Sequence, residues 1–233
     1  MRAIINCGGK GTRLPEVSKV IPKPMVLINE KPLLQVLLEN LKKNGITEVC
    51  ITVHYLADVI IKHFGDGKKI GMKISYSLEE KLIGTGGALV PIQKFITEDT
   101  LLLYGDVITN VNFKKMHKYH LKNNSMVTAA IHLSKHPEDS DLVLFDKNFK
   151  LTQILRKPHT NIPKDPHNLA ALYLISPSIK KYLVLPTPFD FAHDLLPFVL
   201  RSKKNIFCYN TKEFIMDIGT PERLRKAKEL FEK

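Results

Sequence analysis

Met1-Arg2-Ala3-Ile4-Ile5-Asn6-Cys7-Gly8-Gly9-Lys10-Gly11-Thr12-Arg13 opens the chain, and its reading decides the fold. Met1 to Cys7 is a short apolar run bounded by glycine, the pattern of a buried strand. It passes directly into Gly8-Gly9-Lys10-Gly11-Thr12-Arg13 and continues to Ile21-Pro22-Lys23-Pro24-Met25. Glycine at Gly8, Gly9 and Gly11 lets backbone N–H groups approach a ligand, as phosphate-cradling loops do. Lys10, Arg13 and Lys23 add positive charge, and no acid intervenes before Glu16. Arginine grips phosphate as a bidentate fork, whereas lysine acts as a mobile point charge. The string is neither G-x-G-x-x-G nor G-x-x-x-x-G-K-[ST]. A solvated tight turn would not need this much cation. The segment therefore predicts a polyphosphate site at the carboxyl end of strand one.

Outward from that turn, strands and helices alternate. Leu33 to Lys43 has helical apolar spacing and stops at Gly45. Glu48 to His54 reads as a strand, Leu56 to Phe64 as a helix and Lys73 to Ser77 as a strand. Gly84 to Phe95 reads as a helix, and Thr100 to Tyr104 as a strand ending in Gly105-Asp106. This rhythm predicts an α/β fold, a Rossmann-like, mostly parallel (mixed) sheet flanked by helices. Such sheets bind ligands beyond the carboxyl ends of their strands. After Asn112 the rhythm changes to a helix at Phe113 to Asn123 and short strands at Leu142 to Asp146 and Leu151 to Leu155. Leu169 to Ile175 is a strand or buried run, Phe189 to Leu200 looks helical and Asn205 to Tyr209 extended. Pro221 to Phe231 is a C-terminal helix with Thr220 as its N-cap. The second half reads as a small α+β portion on the same sheet. No linker, repeat or low-complexity tract interrupts the chain, so residues 1–233 are expected to form a single domain.

Composition narrows the function classes. The 233 residues suffice for one sizeable core. Hydrophobic content of 44% and charged content of 25% are those of a soluble globular protein. No apolar run is long enough for a membrane span, and no secretory signal is visible. Cys7, Cys50 and Cys208 are widely spaced and read as free thiols in a reducing, cytoplasmic setting. The net charge of +12 is spread over helix faces such as Lys114, Lys115, Lys118 and Lys122. Neither a dense basic patch nor an aromatic RNA-binding signature is present, which argues against nucleic acid and for an anionic small substrate. A homodimer stays open.

Several other residues can carry chemistry. Asp106 is expected at a strand tip, and Asp217 lies in Ile215-Met216-Asp217-Ile218-Gly219-Thr220 before a helix. Each alone reads equally well as a turn or cap acid. Meeting at one rim beside the glycine loop, they would hold Mg²⁺, which binds one or two carboxylates plus substrate phosphates. Leu82-Ile83-Gly84-Thr85-Gly86-Gly87-Ala88 is a second glycine-rich turn, suited either to a flat base or to close helix packing. Glu79 precedes it. His117 and His120, three apart on a lysine-rich helix, read as solvated rather than ligating. No serine or cysteine sits in a nucleophile elbow.

The string G-G-x-G-T-R-L with Lys23 in P-K-P-M resembles the signature of the sugar-1-phosphate nucleotidyltransferases, and further matches span nearly the whole chain. The resemblance implies a nucleotide-binding half over 1–112 and a sugar-phosphate half over 113–233. It implies metal binding by Asp106 in G-D and Asp217 in D-x-G-T. It also implies nucleotide contacts from Gly8, Gly9, Lys10, Gly11 and Thr12, and base and ribose contacts from Gly84, Thr85 and Gly86. Lys157, in Arg156-Lys157-Pro158, resembles the lysine of E-K-P that contacts the sugar phosphate; the usual acid is here Arg156. The family's N-A-G-[IV]-Y is here Leu169-Ala170-Ala171-Leu172-Tyr173, with Asn168 one place early as a sugar contact. His136-Pro137-x-Asp139-Ser140-Asp141 and Lys157-Pro158-His159 resemble more narrowly the D-glycero-D-manno-heptose 1-phosphate guanylyltransferases. There Asp139 and Asp141 either bind sugar hydroxyls or form a polar turn. The implied reaction joins a nucleoside triphosphate, GTP in that branch, to a sugar 1-phosphate and releases pyrophosphate. Arg13 would hold the triphosphate and Lys23 the reacting α-phosphate. The competing readings are a mannose- or glucose-1-phosphate nucleotidyltransferase, a phosphocholine-type cytidylyltransferase and a non-catalytic nucleotide-sugar-binding homologue.

Overall fold

The structure, a computed structural model, describes residues 1–9 and 21–231. Its elements begin with β1 (Arg2–Asn6), β2 (Leu27–Ile28), β3 (Lys31–Pro32), α1 (Leu33–Lys43), β4 (Glu48–Val53), α2 (Ala57–Phe64) and β5 (Lys73–Leu78). There follow β6 (Thr100–Tyr104), β7 (Val107–Thr109), α3 (Phe113–Lys122), β8 (Val127–Leu133), β9 (Leu142–Phe145) and β10 (Leu151–Leu155). The chain continues with β11 (His167–Ile175), α4 (Leu196–Arg201), β12 (Ile206–Asn210), β13 (Ile215–Asp217) and α5 (Pro221–Phe231). The sheet is mixed, as the alternation predicts. Two compact units share the chain, one of Met1–Leu82, Leu102–Asn112 and Glu213–Lys233, the other of Ile83–Leu101 and Phe113–Lys212.

In the first unit β1 pairs with β4 and β4 with β5, both parallel. Ala3, Ile4 and Ile5 are fully buried, as a central strand requires. α1 buries Leu33, Leu34, Leu37, Leu38 and Leu41, one apolar stripe of the 3.6-residue period. Each such leucine contributes about 2 kcal/mol of burial. Lys42 and Lys43 complement the negative end of the helix dipole, and Gly45 at φ 81 turns the chain away. The C-terminal segment returns to this unit. β13 pairs antiparallel with β7, placing Ile215 opposite Thr109, Met216 opposite Ile108 and Asp217 opposite Val107. The Thr109 hydroxyl donates to Phe214 O at 2.8 Å, and Phe214 N donates to Asn110 Oδ1 at 2.7 Å. Val26, Ile28, Leu33, Ile108, Ile218 and Ala227 form the core that holds this ladder against α1 and α5. Arg223 N donates to Thr220 Oγ1 at 3.3 Å, the N-cap bond expected at α5.

The second unit is mainly antiparallel. β11 pairs antiparallel with both β8 and β9, β10 antiparallel with β9, and β12 parallel with β8. The β11–β8 register shifts between Leu169 and Tyr173, where Ala171 takes φ 52. This is the position at which the family motif has glycine, and a left-handed backbone explains that preference.

One expected element is absent. Gly84 to Phe95 is not a helix but an irregular segment with short 3-10 turns at Gly87–Leu89 and Gln93–Phe95. Gly84 sits at φ 83, Pro91 offers no N–H, and the Gly86 and Gly87 N–H groups go to Phe189 O, each at 3.1 Å. The tertiary contact wins over the helical ladder. The expected Phe189 to Leu200 helix starts later, as one π turn at Phe191–Leu195 running into α4, capped by the Asp190 carboxylate.

Gly105 marks where β6 and β1 end together: its N–H donates to Asn6 O at 2.9 Å. A Cβ there would lie 2.3 Å from Cys7 Sγ and 3.1 Å from Pro24 Cγ. Gly105→Ala is therefore expected to cost about 1–3 kcal/mol in urea unfolding. Combined with Cys7→Ala, which removes the clashing atom, the loss should fall short of the sum of the single losses by more than about 0.5 kcal/mol. Simple additivity would contradict the clash. Ala171→Gly is expected to raise stability by about 0.5–1 kcal/mol, because relief at positive φ exceeds the entropy lost to glycine; a destabilised variant would contradict it.

Candidate active site

The Gly8 turn and both predicted metal acids lie in the first unit. Gly8 is buried at the end of β1 and Gly9 is exposed. Gly8 has a reason to be glycine: a Cβ would stand 3.1 Å from Glu79 Oε1 and 3.6 Å from His54 Cβ. Glu79 is only 8% exposed. Its N–H donates to Val53 O at 2.8 Å, and its carbonyl accepts from His54 Nδ1 at 2.7 Å, so the His54 proton sits on Nδ1. A buried carboxylate thus faces the first glycine of the loop.

Lys23 occupies a 3-10 turn with Pro24 and Met25 and is 8% exposed. A lysine this buried needs a partner, and its Nζ ion-pairs with Asp106 Oδ2. Asp106 follows Gly105 in the turn between β6 and β7, and its carbonyl accepts from Ile218 N at 2.9 Å. That bond extends the β7–β13 ladder, so two acids 111 positions apart in sequence become neighbours along paired strands. Asp217 Oδ1 accepts from Gly219 N at 2.8 Å, and Oδ2 pairs with Arg223 Nη1. Asp217 thus also does the work of a turn acid. Each of the two carboxylates is thus paired with a cation of the chain itself. Among the described residues no group of three or more His, Cys, Asp or Glu could hold a metal ion. Cys7 lies beside Asp106, and burial first, then the Asp106 charge, pushes its thiol far up, so it is a neutral core group and no nucleophile.

The other predicted residues lie in the second unit. A Cβ on Gly84 would meet Phe189 O at 2.2 Å, and one on Gly86 the Phe189 ring at 2.6 Å. Thr85 Oγ1 donates to Asp190 Oδ2 and accepts from Phe191 N at 2.9 Å. Packing against residues 189–191 therefore accounts for Gly84 and Gly86. Lys157 Nζ pairs with Asp139 Oδ1 at 2.6 Å and donates to Asp139 O at 3.0 Å. Two of the three predicted sugar-phosphate residues meet. Asp141 accepts from His193 Nε2 and, at 3.3 Å, from Lys157 N. Arg156, at the position of the usual acid, reaches Asp194 at 3.4 Å. Asn168 pairs with Leu142 in β9 and His132 in β8, and its Nδ2 donates to Leu169 O at 3.1 Å. Lys10, Gly11, Thr12 and Arg13 lie outside the described residues.

His54, Asp190, His193, Asp194 and Arg223 take part in these networks, and the sequence did not single them out for a role. Asp190 alone left a local signal, an N-cap acid before an apolar helical run.

The family model described as Nucleotidyl transferase matches residues 2–233. The D-glycero-alpha-D-manno-heptose 1-phosphate guanylyltransferase of Campylobacter jejuni is 32% identical over 232 residues, covering 95% of this chain and 96% of that protein. The protein of the same name from Aneurinibacillus thermoaerophilus is 29% identical over 228 residues, 97% of this chain and 96% of its own. A crystal structure of HddC from Yersinia pseudotuberculosis, complexed with GMP-PN, superposes with a TM-score of 0.82 at 29% identity over 99% of both chains. With glycine turn, buried lysine and paired-strand aspartates in place over a match of nearly full length, this chain belongs to the nucleotidyl transferase family.

Proposed function

We propose that the chain transfers GMP from GTP to a sugar 1-phosphate, D-glycero-D-manno-heptose 1-phosphate being the preferred acceptor, as a cytoplasmic enzyme. A phosphate oxygen of the sugar 1-phosphate attacks the α-phosphorus of GTP. A new P–O bond forms, the bond from the α-phosphorus to the bridging oxygen breaks, and pyrophosphate leaves. The nucleophile is already an anion near neutral pH, so no general base is needed. The difficulty lies in bringing two polyanions together, and fixed cations and positioning overcome it.

One observation carries this reading: Lys23, Asp106 and Asp217 gather around paired strands next to the Gly8 turn. Lys23 is aimed at the reacting α-phosphate, with Asp106 holding its ammonium until substrate arrives. Asp106 and Asp217 would hold Mg²⁺, which supplies charge neutralisation to the transferred phosphoryl group. Arg13 and Lys10 are assigned to the triphosphate, with Gly8, Gly9, Gly11 and Thr12 as backbone donors and neighbours. Gly84, Thr85 and Gly86 are assigned to base and ribose, and Lys157, Asn168 and Asp139 to the sugar phosphate; family resemblance supports these roles. Glu79 suits a base that offers two adjacent N–H donors, as guanine does at N1 and N2, because a carboxylate accepts both. The free buried thiols of Cys7, Cys50 and Cys208 accord with a reducing compartment. Among the described residues no helix is long and apolar enough to cross a membrane.

Pyrophosphate release with GTP, Mg²⁺ and heptose or mannose 1-phosphate tests the proposal. Lys23→Ala and Asp106→Ala are each expected to lower kcat by at least about 10²-fold with the circular dichroism spectrum retained. Near-normal turnover in both would contradict the assignment, and so would wild-type protein that binds GTP without releasing pyrophosphate. Glu79→Gln is expected to narrow the preference for GTP over ATP about 10-fold or more; an unchanged ratio would remove Glu79 from base readout.

A further inference from the structure

The second unit holds a polar cavity of about 310 Å³ that shares no residue with the proposed transfer site. It opens where α3 ends. Asn124 takes φ 45 and turns the chain, so that Ser125 N donates back to His120 O at 3.2 Å. His120 and Ser125 thereby line the cavity together, 2% and 6% exposed. His120 Nδ1 bonds Thr128 Oγ1 at 2.8 Å, but its Nε2 has no hydrogen-bond partner, and neither does Ser125 Oγ. Asp99 lines the same space. It is held by His117 Nε2 at 2.8 Å and stays 3.7 Å from His120 Nε2, beyond hydrogen-bond reach. Ser176 and Ser178, 2.6 Å apart through their hydroxyls, and Lys204 also line it, with Ser178 and Lys204 exposed.

A buried hydroxyl left unpaired beside the cavity, with an imidazole Nε2 held only by a long contact to Asp99, costs free energy that a ligand with matching groups recovers. The chemistry of that ligand follows from the lining. A bare anion deep in the cavity would face the Asp99 carboxylate, whereas a hydroxyl would donate to it and still accept from Ser125. At the mouth the lysine and paired serine hydroxyls favour an anion. We propose that this cavity binds a small phosphorylated polyol, its hydroxyls reaching His120 Nε2, Ser125 Oγ and Asp99, and its phosphate meeting Lys204, Ser176 and Ser178.

Glucose 6-phosphate is a suitable probe, because it lacks the anomeric phosphate that the transfer reaction uses. Calorimetric titration of the full chain, kept saturated with GTP and Mg²⁺, is expected to show saturable binding at millimolar concentration. Lys204→Ala and Ser125→Ala should each weaken it about 10-fold or more. Both variants should fold: Lys204 is exposed, and deleting an unpaired buried hydroxyl leaves stability unchanged or higher. No saturable binding, binding that both variants keep, or equal affinity for glucose or for inorganic phosphate alone would each overturn the proposal. None of these outcomes bears on the transfer reaction, which pyrophosphate release reads separately.

Discussion

A buried lysine and the carboxylate beside it set the terms for the rest of the first unit. Lys23 is buried against Asp106 as its counter-ion, and Asp106 cannot stand where it does without Gly105. Gly105 in turn must be bare because Cys7 and Pro24 close on it. The two ends of the predicted phosphate loop, Cys7-Gly8 and Lys23-Pro24, therefore abut the turn that carries Asp106. The remaining acid arrives by a different route. β13 and α5 dock on the core beneath β7, and strand pairing alone brings Asp217 alongside.

This arrangement explains why so little reactive machinery is visible. Cys7 is a neutral packing group, and among the described residues no side chain is posed as an attacking nucleophile. The cations and carboxylates are prearranged, which is what catalysis by charge stabilisation requires. Each is also satisfied by a partner within the chain, Lys23 by Asp106 and Asp217 by Arg223 and Gly219. Such pairs keep charges fixed at little cost while a polyanion and its metal are absent. On the proposed function, they would exchange partners when these enter.

How much of this could be read from the sequence depends on whether a signal was local. α1 and β6 were legible to the residue, because apolar periodicity and bounding glycines are local and strong. The Gly8 turn was legible for the same reason. The pairing that brings Asp217 to Asp106 was not: nothing in residues 215–217 says that they pair with residues 107–109, and the expected meeting at one rim rested on placing both acids at strand ends and on family resemblance. The segment from Gly84 failed in the opposite sense. Its composition fits the start of a helix, yet its glycines serve the close approach of Phe189, a contact more than one hundred residues away. His54, His193 and Arg223 escaped because a lone polar residue has many uses and no local pattern selects one.

The account is tested most directly by a crystal structure of the full chain with GTP, a non-reacting sugar 1-phosphate analogue and Mg²⁺. It predicts the metal ligated by carboxylate oxygens of Asp106 and Asp217, with the Lys23 ammonium turned from Asp106 to an α-phosphate oxygen. A triphosphate bound away from the Gly8 turn, with the Lys23–Asp106 and Arg223–Asp217 pairs intact and the metal elsewhere, would contradict it.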